Sequence, residues 1–105
     1  MNLDYITEKN SQNPTKAIVF IHGWTGNKMS FLPLVKNLKI KNVEWFFPEA
    51  PYSIDGDDTK KSWTYKKAEG VWEIKEPVDM VRNFFYDIVF HKYDSKNVYA
   101  VGFSQ

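Results

Sequence analysis

The sequence has 105 residues, enough for one hydrophobic core and too few for two ordinary domains. Lys and Arg total 14 against 13 Asp and Glu, so no excess of one sign points to nucleic acid or an anionic membrane surface. The absence of cysteine excludes disulfides and thiolate metal sites, fits a reducing compartment, and makes the cytoplasm the expected location.

The N-terminal segment MNLDYITEKNSQNP lacks the basic patch and apolar stretch of a signal peptide. Leu3 to Tyr5 alternate weakly and suit a short edge strand, after which residues 8–14 read as a turn or loop. Lys16–Ile21 (KAIVFI) is an apolar, β-branched run bounded by Pro14 and Gly23, the pattern of a central parallel strand buried on both faces. It holds the longest aliphatic run, far short of the roughly 20 apolar residues a membrane-spanning helix needs. No membrane span is expected.

Ser30 is placed to cap a helix that tolerates Pro33 in its first turn, buries Leu34, Val35 and Leu38, and ends near Lys39. Residues 43–47 (VEWFF) read as a second strand, stopped by Pro48, which cannot donate to a ladder. Residues 48–75 carry two prolines, two glycines and an Asp-Gly-Asp-Asp cluster without a sustained period. So long an irregular stretch is expected to be a loop near a functional site, with room for a short hidden element.

Pro77 suits the first turn of a helix in which Val78, Val81, Phe84, Phe85, Ile88 and Val89 recur at helical spacing as the buried stripe. His91 and Lys92 in its last turn complement the helix dipole. Residues 94–97 turn the chain into a third buried strand over 98–101. The order strand, helix, strand, helix, strand predicts an α/β fold: a mostly parallel sheet with helices on both faces.

In such sheets ligands bind beyond the carboxyl ends of the strands. Two loops stand there: residues 22–27 (HGWTGN) after the first buried strand and residues 102–105 (GFSQ) after the last. A serine nucleophile must project its hydroxyl above the sheet from a sharp strand-to-helix turn, and Gly102, two residues before Ser104, leaves room for one. A glycine, one residue and a serine form a short motif, and the segments around it add to its meaning.

Residues 18–27 (IVFIHGWTGN), 47–51 (FPEAP) and 101–105 (VGFSQ), in that order and at those separations, resemble the phospholipase and carboxylesterase family of α/β-hydrolases, which includes acyl-protein thioesterases. The likeness runs from about Lys16 onward. Ser62-Trp63 is similar to the family's tryptophan-bearing stretch, whereas Thr64-Tyr65 departs from its acidic continuation. The resemblance implies that residues 1–105 are the N-terminal part of a single α/β-hydrolase domain, ending at the nucleophile elbow. The strand from Asn97 would then lie beside the strand from Lys16, with the strand from Val43 on the other side of the latter.

The resemblance also implies a serine hydrolase that cleaves carboxylic esters or thioesters through an acyl-enzyme on Ser104. The backbone N–H groups of Trp24 and Gln105 would hold the oxyanion, His22, Gly23 and Gly102 would shape the site, and Trp63 would contact substrate. The triad acid and base follow the serine in this fold, so neither is His22 or His91, and the 105 residues alone are expected to be inactive. No cofactor or metal is implied, and the expected partner is a small acyl ester or thioester. The competing class is a non-catalytic hydrolase-fold binding protein or an inactive truncated fragment.

Blander readings stand beside these. His22 is expected to anchor its loop by hydrogen bonds and His91 to be a helix-end residue. Gly23, Gly26, Lys28 and Ser30 lie near one another as in a phosphate-binding loop, but two residues separate the glycines where four are required and the lysine is displaced. Asp55, Asp57 and Asp58 offer oxygen donors for calcium but lack the glutamate of an EF-hand loop, so a solvated turn around Gly56 is expected. Trp24, Trp63 and Trp72 suit an acyl pocket or a core, and the first two are retained for the pocket.

Overall fold

The computed structural model describes residues 2–103. Its centre is a four-stranded sheet in the order β1-β3-β2-β8, formed by β1 (Tyr5–Lys9), β2 (Lys16–Ile21), β3 (Val43–Pro48) and β8 (Val98–Gly102). β2 pairs in parallel with β3 on one side and β8 on the other, while β1 runs antiparallel along the outer edge of β3. The parallel core and its strand order match the sequence-based expectation. The edge strand is longer and later than Leu3 to Tyr5, and Leu3 is instead buried in the core.

The apolar runs of β2 and β3 are explained by burial on both faces. Ala17, Val19 and Phe46 face α2 (Lys75–Phe84) and its continuation, a single π-helical stretch over Phe85–Val89, where they pack with Met80, Phe84 and Val89. Ile18, Phe20, Val43, Trp45 and Phe47 face α1 (Leu32–Lys36), which contributes Val35. One helix therefore covers each face. The core also encloses Glu44, whose carboxylate accepts a 2.8 Å hydrogen bond from the Tyr93 hydroxyl and lies 3.3 Å from the Lys92 ammonium.

Several expectations need correction. α1 is a single short turn opened by Phe31, and Ser30 does not cap it: the Ser30 hydroxyl accepts from the Asn27 N–H at 2.8 Å, tying off the preceding loop. With so few residues α1 presents one buried side chain, Val35, and leaves Leu34 52% exposed and Leu38 exposed as well. α2 begins two residues before Pro77, which shifts its buried face to Pro77, Met80 and Phe84 and turns Val78 outward. β8 is not buried: Tyr99 and Val101 are exposed and only Val98 packs against the core, because among the described residues β8 is an edge strand bordered by β2 alone.

Residues 48–75 are not an irregular loop. They hold two hairpins, β4 (Tyr52–Ile54) with β5 (Asp57–Ser62) and β6 (Lys66–Ala68) with β7 (Val71–Trp72). Asp55 and Gly56 both take positive φ, 50° and 75°, which gives the tight two-residue turn that asparagine or aspartate followed by glycine favours. No described helix is long and apolar enough to cross a membrane.

Candidate active site at the carboxyl ends of the parallel strands

The parallel pairing of β2 with β3 and β8 sends all three chains out at one end of the sheet. Register places Ile21 opposite Gly102, and the Phe103 N–H donates to the Ile21 carbonyl at 3.1 Å. The chain leaving β8 and the turn starting at His22 are thus neighbours at the moment each leaves the sheet. The Phe103 ring meets Phe31 edge-on, 5.6 Å between centroids, on the α1 side. Ser104 and Gln105, the sequence-assigned nucleophile and second oxyanion donor, lie outside the described residues.

His22 is the hub of this end. Its ring is buried, Nδ1 donates to the Gly23 carbonyl at 2.7 Å, and Nε2 accepts the Ala50 N–H at 3.0 Å from the chain leaving β3. One nitrogen faces a pure acceptor and the other a pure donor, so both bonds are met only by the neutral ring with its proton on Nδ1. Burial holds His22 below the ordinary histidine range, against opposing pulls from the Gly23 carbonyl and the Glu49 carboxylate. The His22 backbone carbonyl accepts the Trp63 indole N–H at 2.7 Å. His22 therefore ties β2, the segment after β3 and the end of β5 together, the anchoring role expected for it; a base would need a freer ring.

The turn after His22 is tight. The Gly26 N–H returns to the Gly23 carbonyl at 3.1 Å, and a Cβ on Gly26 would stand 3.0 Å from both His22 Nδ1 and the Ser30 hydroxyl. Thr25 is held at φ 72°, a left-handed conformation costly for a β-branched residue. Two backbone bonds to β5 keep it there: Thr25 N–H to the Lys61 carbonyl at 3.0 Å and Lys61 N–H to the Gly26 carbonyl at 2.9 Å. Just before them Trp24 carries a backbone N–H that donates to no described group.

His22, Gly23, Trp24, Trp63 and Gly102 are thus brought to one sheet end. Gly26, Thr25, Ala50 and Lys61 complete the arrangement and were not assigned there from sequence. Ala50 and Lys61 act through backbone groups and carry no side-chain signal; the Asp55-Gly56 pair would have revealed the hairpin that delivers Lys61. The lysine of the loop does not suit phosphate, since the Lys28 ammonium is paired with Asp4 and its N–H donates to Glu49. Asp57 accepts from the Thr59 N–H and hydroxyl, Asp58 from the Ser53 hydroxyl. Among the described residues no group of three or more His, Cys, Asp or Glu is arranged to hold a metal.

Among the described residues, two of the clefts at this end border Trp63 or Trp24. One, about 420 Å³, is mainly aliphatic, with Ile21, Trp63, Ile74, Pro77, Val78 and Val81 in its wall; the outward turn of Val78 puts it here. The other, about 490 Å³, runs from Trp24 onto the two hairpins. A third hollow of about 520 Å³ lies among Lys67, Glu73, Lys75 and Asp79, which are paired with one another. It takes no residue from the loops after β2, β3 or β8 and is set aside.

No family model matches the sequence, and no curated protein matches it. Among solved structures, the chain is similar to the crystal structure of Zea mays acyl-protein thioesterase 2, with a TM-score of 0.68 and 20% sequence identity. The match covers 96% of this chain and 46% of the maize chain, so the 105 residues span about half the length of that protein. The likeness shows a shared α/β fold, a mixed sheet with helices packed on it.

Proposed function

We propose that residues 1–105 form the N-terminal part of a single α/β-hydrolase domain. The complete domain would be a serine hydrolase that cleaves carboxylic ester or thioester bonds through an acyl-enzyme on Ser104. The observation that supports this reading most is the meeting of two chain exits. Gly102 lies opposite Ile21, with Phe103 bonded back to Ile21, and the Trp24 N–H in the adjacent turn donates to none of the described residues. A serine two residues past Gly102 needs only that geometry to attack a carbonyl whose oxygen rests on the Trp24 N–H.

On this reading Ser104 attacks the acyl carbon, the alcohol or thiol departs, and water hydrolyses the acyl-enzyme. The oxyanion formed in each half-reaction accepts from the N–H groups of Trp24 and Gln105; one such donor typically contributes about 3 kcal/mol in the transition state. Thr25 and Lys61 hold the first donor in place, and neutral His22 supports the turn beneath it. The base and its acidic partner come from outside these 105 residues, in the part of the fold that the maize chain has and this one does not span. The substrate is a small acyl ester or thioester, the site needs neither cofactor nor metal, and the balanced charge and missing cysteine favour a cytoplasmic enzyme without a nucleic-acid partner.

A fluorophosphonate probe offered to the complete domain tests the proposal. Labelling is expected on Ser104 and is lost in Ser104→Ala. A well-folded domain that takes no label would instead be a hydrolase-fold binding protein.

A further inference from the structure

The cleft of about 490 Å³ beside Trp24 has a composition that the hydrolytic reaction does not explain. Four of its lining residues are aromatic: Trp24 from the turn after β2, Tyr52 from β4, Tyr65 just before β6, and Trp72 from β7. Trp24 and Trp72 are 60% and 53% exposed. Among the described residues neither indole ring pairs with another ring, and neither indole N–H has a hydrogen-bond partner. Two large, flat, amphipathic side chains thus border one cavity with their faces and donors unengaged, whereas Trp63 beside them is buried and its indole N–H is bonded.

The other two rings are fixed. Tyr52 and Tyr65 meet edge-to-face with 4.7 Å between centroids, and the Tyr52 hydroxyl donates to Glu76 at 2.6 Å. Burial, reinforced by that carboxylate, raises the Tyr52 pKa, so the hydroxyl keeps its proton at any ordinary pH. The ionic groups of the rim are few: the Lys66 ammonium is bonded to Glu69 at 3.0 Å, and Asp55 has no ion-pair partner among the described residues. A cavity of this size holds a small ligand, and preformed tyrosine and tryptophan walls give contact area with little loss of side-chain freedom.

We infer that the cleft bordered by Trp24, Tyr52, Tyr65 and Trp72 binds a ring-bearing group of the substrate, stacked on an indole face. An aryl ring and a pyranose ring both present such a face. Extended alkyl chains do not, and they suit the neighbouring aliphatic cleft of Ile21, Ile74, Pro77, Val78 and Val81 instead. The inference rests on the hydrolase reading only in calling this group part of a substrate; ring binding itself can be measured without catalysis.

The test uses the complete domain carrying Ser104→Ala, labelled with ¹⁵N, and follows the indole N–H signals of Trp24, Trp45, Trp63 and Trp72. Methyl benzoate serves as the aryl probe, methyl β-glucopyranoside as the pyranose probe and methyl hexanoate as the alkyl control. One or both ring probes should shift the Trp24 and Trp72 signals, assigned by Trp24→Leu and Trp72→Leu, and the alkyl ester should leave them in place. Trp72→Ala should weaken ring binding by about three- to tenfold, the worth of one aromatic pair. In the same Trp72→Ala variant the indole signal of Trp45, buried in the core on the α1 side, should stay in place, which separates lost ring binding from a lost fold. Equal shifts from the alkyl ester, or no shift from either ring probe, would overturn the inference. Ring binding to a domain that takes no fluorophosphonate would keep the cleft and remove the hydrolase.

Discussion

Replacing His22 by leucine, a side chain of similar bulk, isolates the hydrogen bonds at the sheet end from simple volume loss. The Ala50 N–H would lose its acceptor Nε2 in a buried setting, which costs about 1–3 kcal/mol, and the Nδ1–H bond to Gly23 would go, for about 1 kcal/mol more. The Gly23 carbonyl keeps the Gly26 N–H as a donor, and the Trp63 indole keeps the backbone carbonyl at position 22, so neither adds a penalty. The sum is roughly 2–4 kcal/mol of stability lost. Urea unfolding of the complete domain, followed by tryptophan fluorescence, reads it directly. The pH dependence supplies a second signature. Folded His22 has a depressed pKa, so as pH falls below the ordinary value of about 6.5 the unfolded chain takes up a proton that the fold resists. His22 therefore contributes its full stability above that pH and loses it progressively toward and through its lower folded pKa. His22→Leu should lack this fall. A loss under about 0.5 kcal/mol, within the range of ordinary surface substitutions, or an unchanged acid slope, would refute the anchoring role.

Three further substitutions probe neighbouring parts of the structure. Gly26→Ala should cost about 1–3 kcal/mol by thermal melt, because its Cβ would press on His22 Nδ1 and the Ser30 hydroxyl at once; Ser30→Ala in the same chain should recover only part of it. Thr25→Gly relieves a left-handed β-branched residue but adds freedom to the unfolded chain, so stability should stay level or rise by up to about 1 kcal/mol; a clear drop would show that φ at this position carries no strain. Tyr93→Phe removes the hydroxyl that donates to buried Glu44 and should cost about 1.5–3 kcal/mol in denaturant midpoint analysis.

The parts of the fold legible in sequence were those that follow from burial on both faces. The apolar runs of β2 and β3 announce central strands, and the amphipathic spacing of α2 announces a helix, because in each case water is excluded from a defined set of positions. What escaped was built from polar residues or from backbone. β5 reads Asp-Asp-Thr-Lys-Lys-Ser and has only Ser62 buried, so it lacks the alternation that marks a strand, and its pairing with β4 rests on the Asp55-Gly56 turn. The apolar residues of α1 promised a longer buried stripe than a single turn can present. At the site, His22, Gly23, Trp24, Trp63 and Gly102 were recognisable by resemblance and do gather at one sheet end. The devices that hold them, the Ala50 and Lys61 backbone groups and the closeness of Gly26 to His22, come from contacts between distant segments, which no local pattern encodes.

The most direct measurement of the central claim is the geometry of the complete domain after phosphonylation of Ser104. A crystal structure of that adduct should place the phosphonyl oxygen about 2.7–3.1 Å from the Trp24 backbone nitrogen, in the turn that begins at His22. An adduct on Ser104 whose oxygen points away from Trp24, with no N–H from that turn in hydrogen-bonding range, would contradict the account.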